Sequence, residues 1–136
     1  MVDELMRIVQ PRYENAVEFA LTNRVVLARS ESGIGVDIGL AAFPYEQAAF
    51  RRLQRVEFRD GLTLPIVGPE DLLVMKVFAG RPHDWFDVRG LLIRQFGKLD
   101  WSIVEGVLPG LLELIEEPER FDRLIAERDQ IEAEFG

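Results

Sequence analysis

The chain has 136 residues, 48% of them apolar, with 16 basic and 24 acidic side chains, one His, no Cys and a net charge of −8. This length and apolar share predict one domain with a true core, while the missing thiols and the single His exclude disulfides, thiolate metal sites and a His-based zinc cluster. Residues 1–59 balance at 8 basic and 8 acidic, so the whole excess falls in residues 60–136, which argues against broad binding to a phosphate backbone but leaves room for a small basic pocket.

In chain order, "VDELMRIV" (2–9) has helical spacing at Leu5, Ile8 and Val9 and must stop by Pro11. "RVVLA" (24–28) is short and β-branched, "RSESG" (29–33) carries turn residues, and "GVDIGL" (35–40) alternates with period two. Val36, Ile38 and Leu40 share one face and Gly35, Asp37 and Gly39 the other, so an antiparallel hairpin is predicted. "EQAAFRRLQRV" (46–56) reads as a helix with Ala49, Phe50 and Leu53 inward. "VEF" (56–58) and "LTLPIV" (62–67) flank "RDG", a second hairpin signal.

From residue 68 the pattern is helical. "GPEDLLVMKVFAG" offers Gly68 as a cap, Pro69 in the first turn, and Glu70 and Asp71 at the positive end of the helix dipole, with Gly80 and Pro82 as the stop. "HDWFDVRGLLIRQFG" (83–97) carries the stripe Trp85, Val88, Leu92 and Phe96. Asp100 caps a third helix with Trp101, Val104, Leu108, Leu111 and Ile115 inward, which Pro109 should kink or split. Residues 118–135 form a terminal amphipathic helix. The expected class is therefore α+β: a single domain over 1–136, β-rich over 1–67 and a C-terminal helical bundle over 68–136. No basic-and-apolar leader opens the chain and no apolar run nears the roughly 18 residues of a membrane span, so a soluble, cytoplasmic protein is expected.

The charged residues of "KVFAGRPHDWFDV" (76–88) stand out against that apolar background. Lys76 interrupts a helix that is apolar nearly all round, and a buried ammonium costs several kcal/mol, in rough terms, unless it is paired. Asp84 and Asp87, just after a short turn, are the obvious anions, with Arg94 on roughly the same face. Two readings stay open: an ion-pair network tying two helices together, or a site where Lys76 or Arg81 binds a ligand phosphate while the Asp residues orient them. Asp37, between Gly35 and Gly39, is either a ligand or metal contact in open space or an acid on the solvated face of an edge strand. His83, alone beside Pro82, reads as a polar turn residue.

Taken together, "RVVLARSESGIGVDIGLAAFPYE" and "LPIVGPEDLLVMKVFAGRPHDWFDVRGLL" resemble the bacterial nucleotidyltransferase family of the AbiEii-toxin and MNT-like type, within the polymerase-β-like superfamily. The resemblance covers residues 24–130, and its most specific part is Lys76, Ala79, Arg81, Asp84 and Asp87 behind the "PEDL" start. It implies part of a nucleotidyltransferase-type mixed sheet ahead of the helical bundle, and magnesium-dependent transfer of a nucleotide from a nucleoside triphosphate to an acceptor. It implies catalytic roles for Asp37, as a metal carboxylate, for Lys76, as a contact to nucleotide phosphate, and for Asp84, which with Arg81 holds Lys76 and the site together; Lys76, Arg81 and Asp87 are the nucleotide-binding residues it implies. The family's opening Gly-Ser turn and two-acid strand have no counterpart here, so two of three metal carboxylates and two strands are expected to be missing, leaving transfer impaired or absent. A sheet edge left open in this way invites another chain, either a second copy or a partner of the toxin–antitoxin kind, and a non-catalytic interaction module is the alternative function.

Overall fold

The computed structural model describes residues 2–41 and 43–136. The chain divides into two compact units, the first running to Gln47 and the second from Ala48 to Gly136. That boundary falls inside a helix, not at residue 67 where the sequence turns from β-rich to helical. The α+β class is what forms.

In the first unit, α1 (Val2–Ile8) leads into the short β1 (Gln10–Pro11), then α2 (Ala16–Asn23), β2 (Val25–Arg29) and β3 (Gly35–Gly39). The three strands make an antiparallel sheet in the order β1-β2-β3. The hairpin predicted at residues 24–40 is present, with Val25 opposite Gly39 and Arg29 opposite Gly35. Ser30 closes its turn by donating its amide to the Ile34 carbonyl at 2.8 Å, and Gly33 takes the positive φ of 84° that the turn requires. Ala20, Val26, Ala28 and Leu40 form the core, covered by Val2, Leu5, Met6, Val9 and Ile38. Leu5 and Val9 face this core as predicted, but Ile8 is 78% exposed and Met6 packs in its place. All strand pairs among the described residues are antiparallel, so the mixed sheet of the resemblance is not what these strands build. The immediate reason is connection length: β2–β3 and the second hairpin are joined by tight turns, whereas a parallel pair needs a long crossover.

Helix α3 (Pro44–Arg51) starts earlier and ends sooner than its apolar pattern predicts, because Gln54–Val56 are already strand. Of the expected inward residues only Ala49 is buried; Phe50 is 60% exposed. In the second unit, β4 (Gln54–Arg59) and β5 (Leu62–Ile66) pair around Gly61, whose φ is 77°. A bulge between Glu57 and Arg59 shifts the register.

Four helices complete this unit: α4 (Pro69–Ala79), α5 (Pro82–Arg94), α6 (Trp101–Leu114) and α7 (Glu119–Phe135). Helix α4 packs against each of the other three, which accounts for its apolar circumference. Leu73, Val74, Val77, Val88, Val104, Leu108, Leu112 and Leu124 are all fully buried. At about 1.5–3 kcal/mol for each such aliphatic side chain, this cluster outweighs the mostly alanine and valine core of the first unit. Helix α6 runs unbroken through Pro109, and its inward stripe continues to Leu112 where Leu111 was expected. Its start is as predicted, with Asp100 accepting the Ser102 amide at 3.0 Å. In α5, Trp85, Val88 and Leu92 are buried, but Phe96 lies past the helix end and is 39% exposed.

Candidate functional site

The turn from α4 to α5 is set by three consecutive residues. Gly80 ends α4 in the left-handed conformation (φ 62°), its amide donating to the Lys76 carbonyl at 2.9 Å. A side chain at Gly80 would collide with the guanidinium of Arg120, which donates to the Phe78 carbonyl at 2.7 Å and so satisfies part of the exposed end of α4. Arg81 is then extended as the N-cap of α5, and Pro82 supplies the first helical φ.

This geometry brings Asp84 under both cations. Its carboxylate is fully buried and accepts four contacts: the Arg81 amide at 3.2 Å, Arg81 Nε at 2.7 Å, Arg81 Nη2 at 3.5 Å and Lys76 Nζ at 3.1 Å. Lys76 also donates to Asp87 Oδ2 at 2.6 Å, and His83 Nε2 lies 3.5 Å from Asp84 Oδ1. The amide contact from Arg81 is one arm of a capping box, so Asp84 fixes the helix start as well as the charges. Every buried side-chain polar atom among the described residues has a partner. Arg94 makes no contact with the cluster among the described residues; its guanidinium lies against Gly90.

The electrostatics follow from these contacts. The Asp84 carboxyl is held down to about 2, chiefly by the Arg81 side-chain hydrogen bond and then by Lys76, against a burial cost that pushes the other way. Lys76 is raised above its ordinary value by its hydrogen bonds to Asp87 and Asp84, and Arg81 is raised by Asp84. Around Asp84 the exposures differ: the Lys76 side chain is 27% exposed, Asp87 56% and Arg81 63%. One buried anion therefore anchors two cations that reach solvent.

Asp37 belongs to the first unit. It sits mid-β3 with its side chain 65% exposed and is ion-paired with Arg12, which lies just past β1 and also donates its amide to the Leu27 carbonyl at 2.9 Å. The open space expected beside it is partly taken by this guanidinium, 3.6 Å from where a side chain on Gly35 would begin. The structure thus brings together Lys76, Arg81, Asp84 and Asp87, and gives Asp37 a different partner. No group of three or more His, Cys, Asp or Glu able to hold a metal ion is found among the described residues.

A second buried acid escaped the sequence reading. Asp71, read only as a dipole-complementing residue of the first turn of α4, is 3% exposed and takes a two-pronged hydrogen bond from Arg52, at 3.0 Å from Nε and 2.6 Å from Nη2. The only signal was the run "RRLQR" ahead of "PEDLL", and nothing in its spacing selects Arg52. Glu70 likewise reaches across to accept the Asp100 amide at 3.1 Å, joining the starts of α4 and α6.

Family models, curated proteins and solved structures yield no match to this chain.

Two outcomes follow from the Asp84 geometry. Lys76→Met and Arg81→Met each leave Asp84 one cationic partner, whereas the double variant strands a buried carboxylate. Urea denaturation of all four chains should show a double-variant loss of about 3–5 kcal/mol, well beyond the sum of the singles; additive losses would mean that Asp84 is not the shared anchor. The second outcome concerns acid. Because the folded carboxyl titrates at about 2, below its usual range near 3.9, its contribution is complete above pH 4–5 and disappears as pH falls toward 2. Between pH 5 and pH 3 the protein should lose about 1 kcal/mol from this group, and Asp84→Asn should flatten that part of the curve. Raised Lys76 acts at the other extreme, its contribution fading only above its ordinary value of 10.5.

Proposed function

We propose that this chain is a nucleotidyltransferase-like protein whose Lys76 site takes hold of the phosphate of a nucleoside triphosphate without carrying out transfer by itself. The observation that carries this reading is the unequal exposure of the two carboxylates on Lys76. Asp84 is buried and fixed by four contacts, while Asp87 is half in solvent and held by Lys76 at 2.6 Å. A phosphate oxygen can replace Asp87 on the ammonium at little cost in desolvation, and Asp84 still holds the lysine in place. Displacing Asp87 turns a balanced set of two cations and two acids into two cations over one acid, facing the incoming anion. The resemblance of the "PEDL" helix and the Lys76–Asp87 segment to the nucleotidyltransferase family supports the same assignment.

The magnesium that the family would use does not fit these residues. Two-metal transfer needs carboxylates bridging ions about 3.5–4 Å apart. Asp37 is a single acid already neutralised by Arg12, and one such carboxylate does not make a two-metal site.

The second reading is a non-catalytic interaction module, and it rests on the outer edge of β3, which pairs with no further strand among the described residues. In this hairpin Leu40 donates its amide to the Arg24 carbonyl and Ser30 donates to Ile34, so even-numbered residues make the ladder and Gly35, Asp37 and Gly39 turn their backbone groups outward. Residues 35–37 and 39 are exposed. A second copy, or a partner chain, could extend the sheet there.

Calorimetric titration of the chain with ATP and magnesium should give saturable binding that Lys76→Ala weakens at least tenfold and Asp87→Asn preserves or tightens. No heat from the parent chain, or an unchanged affinity in the Lys76→Ala variant, would overturn the phosphate reading. For the interaction reading, light scattering after size exclusion should show a dimer that Gly35→Pro converts to monomer, since proline at an outward-facing edge position blocks pairing without breaking the hairpin; a monomeric parent chain would dismiss it.

A further inference from the structure

Between α5 and α7 lies a groove of about 390 Å³, lined by Gly80, Pro82, Trp85, Phe86, Arg89, Arg123 and Glu127. None of Lys76, Arg81, Asp84 and Asp87 lines it. We propose that this groove binds a small aromatic monocarboxylate.

Three observations define the ligand. The guanidinium carbon of Arg123 sits 3.9 Å from the centre of the Trp85 ring, and Arg123 has no acidic partner among the described residues. Stacking occupies one face of the guanidinium and leaves its in-plane N–H donors for a carboxylate, the planar anion they match. Second, the ring of Phe86, in the second turn of α5, is 80% exposed. Trp85 itself is nearly buried beneath Arg123, so Phe86 is the surface on which a ligand ring can stack. Third, the remaining charges are already spent. Arg89 is held by Glu127 at 3.2 Å and by Glu134 at 3.1 Å. Arg123 is therefore the groove's one cation that is not in an ion pair among the described residues, with Glu127 in the wall to repel a phosphate dianion and a chain of net charge −8 behind it. A singly charged carboxylate matches this one guanidinium, whereas a phosphate dianion sets twice the negative charge beside Glu127. The volume is at the lower end of the usual range for small-molecule pockets, which suits a one- or two-ring body.

The probe is indole-3-acetate, titrated into the isotope-labelled full chain and followed by amide and indole N–H shifts in two-dimensional NMR. The expected result is saturable shifts at Trp85, Phe86 and Arg123, affinity at least tenfold lower for the uncharged indole-3-acetamide, and a similar loss in Arg123→Gln and Phe86→Ala. Both substitutions are at exposed positions, so the dispersed spectrum of each variant reports that it is folded. Lys76→Ala should leave the affinity unchanged. Equal binding of acid and amide, no dependence on Arg123, shifts centred on Lys76 and Asp87, or no saturation in the millimolar range would each overturn the proposal.

Discussion

The buried carboxylate of Asp84 is the constraint around which the second unit is arranged. An ionised group without access to water is tolerated only when its oxygens are fully engaged, and here the backbone of Arg81, its side chain and Lys76 together meet that demand. Each partner fixes something beyond the charge. The Arg81 amide sets the first turn of α5, the Arg81 side chain folds back over the turn, and Lys76 is drawn from the far end of α4 toward the next helix. The crossing of α4 and α5 is thereby specified by polar contacts, on top of an apolar interface that could slide with less penalty.

The same arrangement separates two properties that are often confounded at charged sites. Asp84 is inaccessible, so its removal is felt as a fault in the fold. Lys76 and Asp87 reach solvent, so their charges can be redistributed when an anion arrives. A functional role for Lys76 and a structural role for Asp84 are therefore compatible, and the two readings of the charged segment that the sequence left open describe different members of one cluster.

The parts of the fold that could be read from sequence were those fixed by neighbours along the chain. Gly68-Pro69, Gly80-Arg81-Pro82 and Asp100 mark helix ends through backbone conformation and local hydrogen bonds, and all three are where the residue types put them. Lys76 with Asp84 and Asp87 was legible for the same reason, since a short turn between helices brings them within reach. What failed was the choice among adjacent apolar residues: Ile8 against Met6, and Leu111 against Leu112, differ by a fraction of a helical turn, and the packing partner decides. Phe50 and Gln54 were misread because a strand immediately after a helix can prolong its apolar pattern. Arg12 with Asp37, Arg52 with Asp71 and Arg123 over Trp85 are distant in sequence and leave no periodic trace.

The contacts made by α7 bear on the order in which the chain is synthesised. Arg120 satisfies the end of α4, while Glu127 and Glu134 neutralise Arg89 of α5, and Leu124 and Ile131 fill the core. All of these come from a helix that is synthesised after α4, α5 and α6. Until it emerges, α4 and α5 have an unfilled carbonyl end, an unbalanced arginine and an open apolar surface, so the helical unit closes only once α7 has been made. A nascent chain halted before residue 119 would present that surface to whatever is nearby, and the demand for chaperone protection is concentrated in that interval.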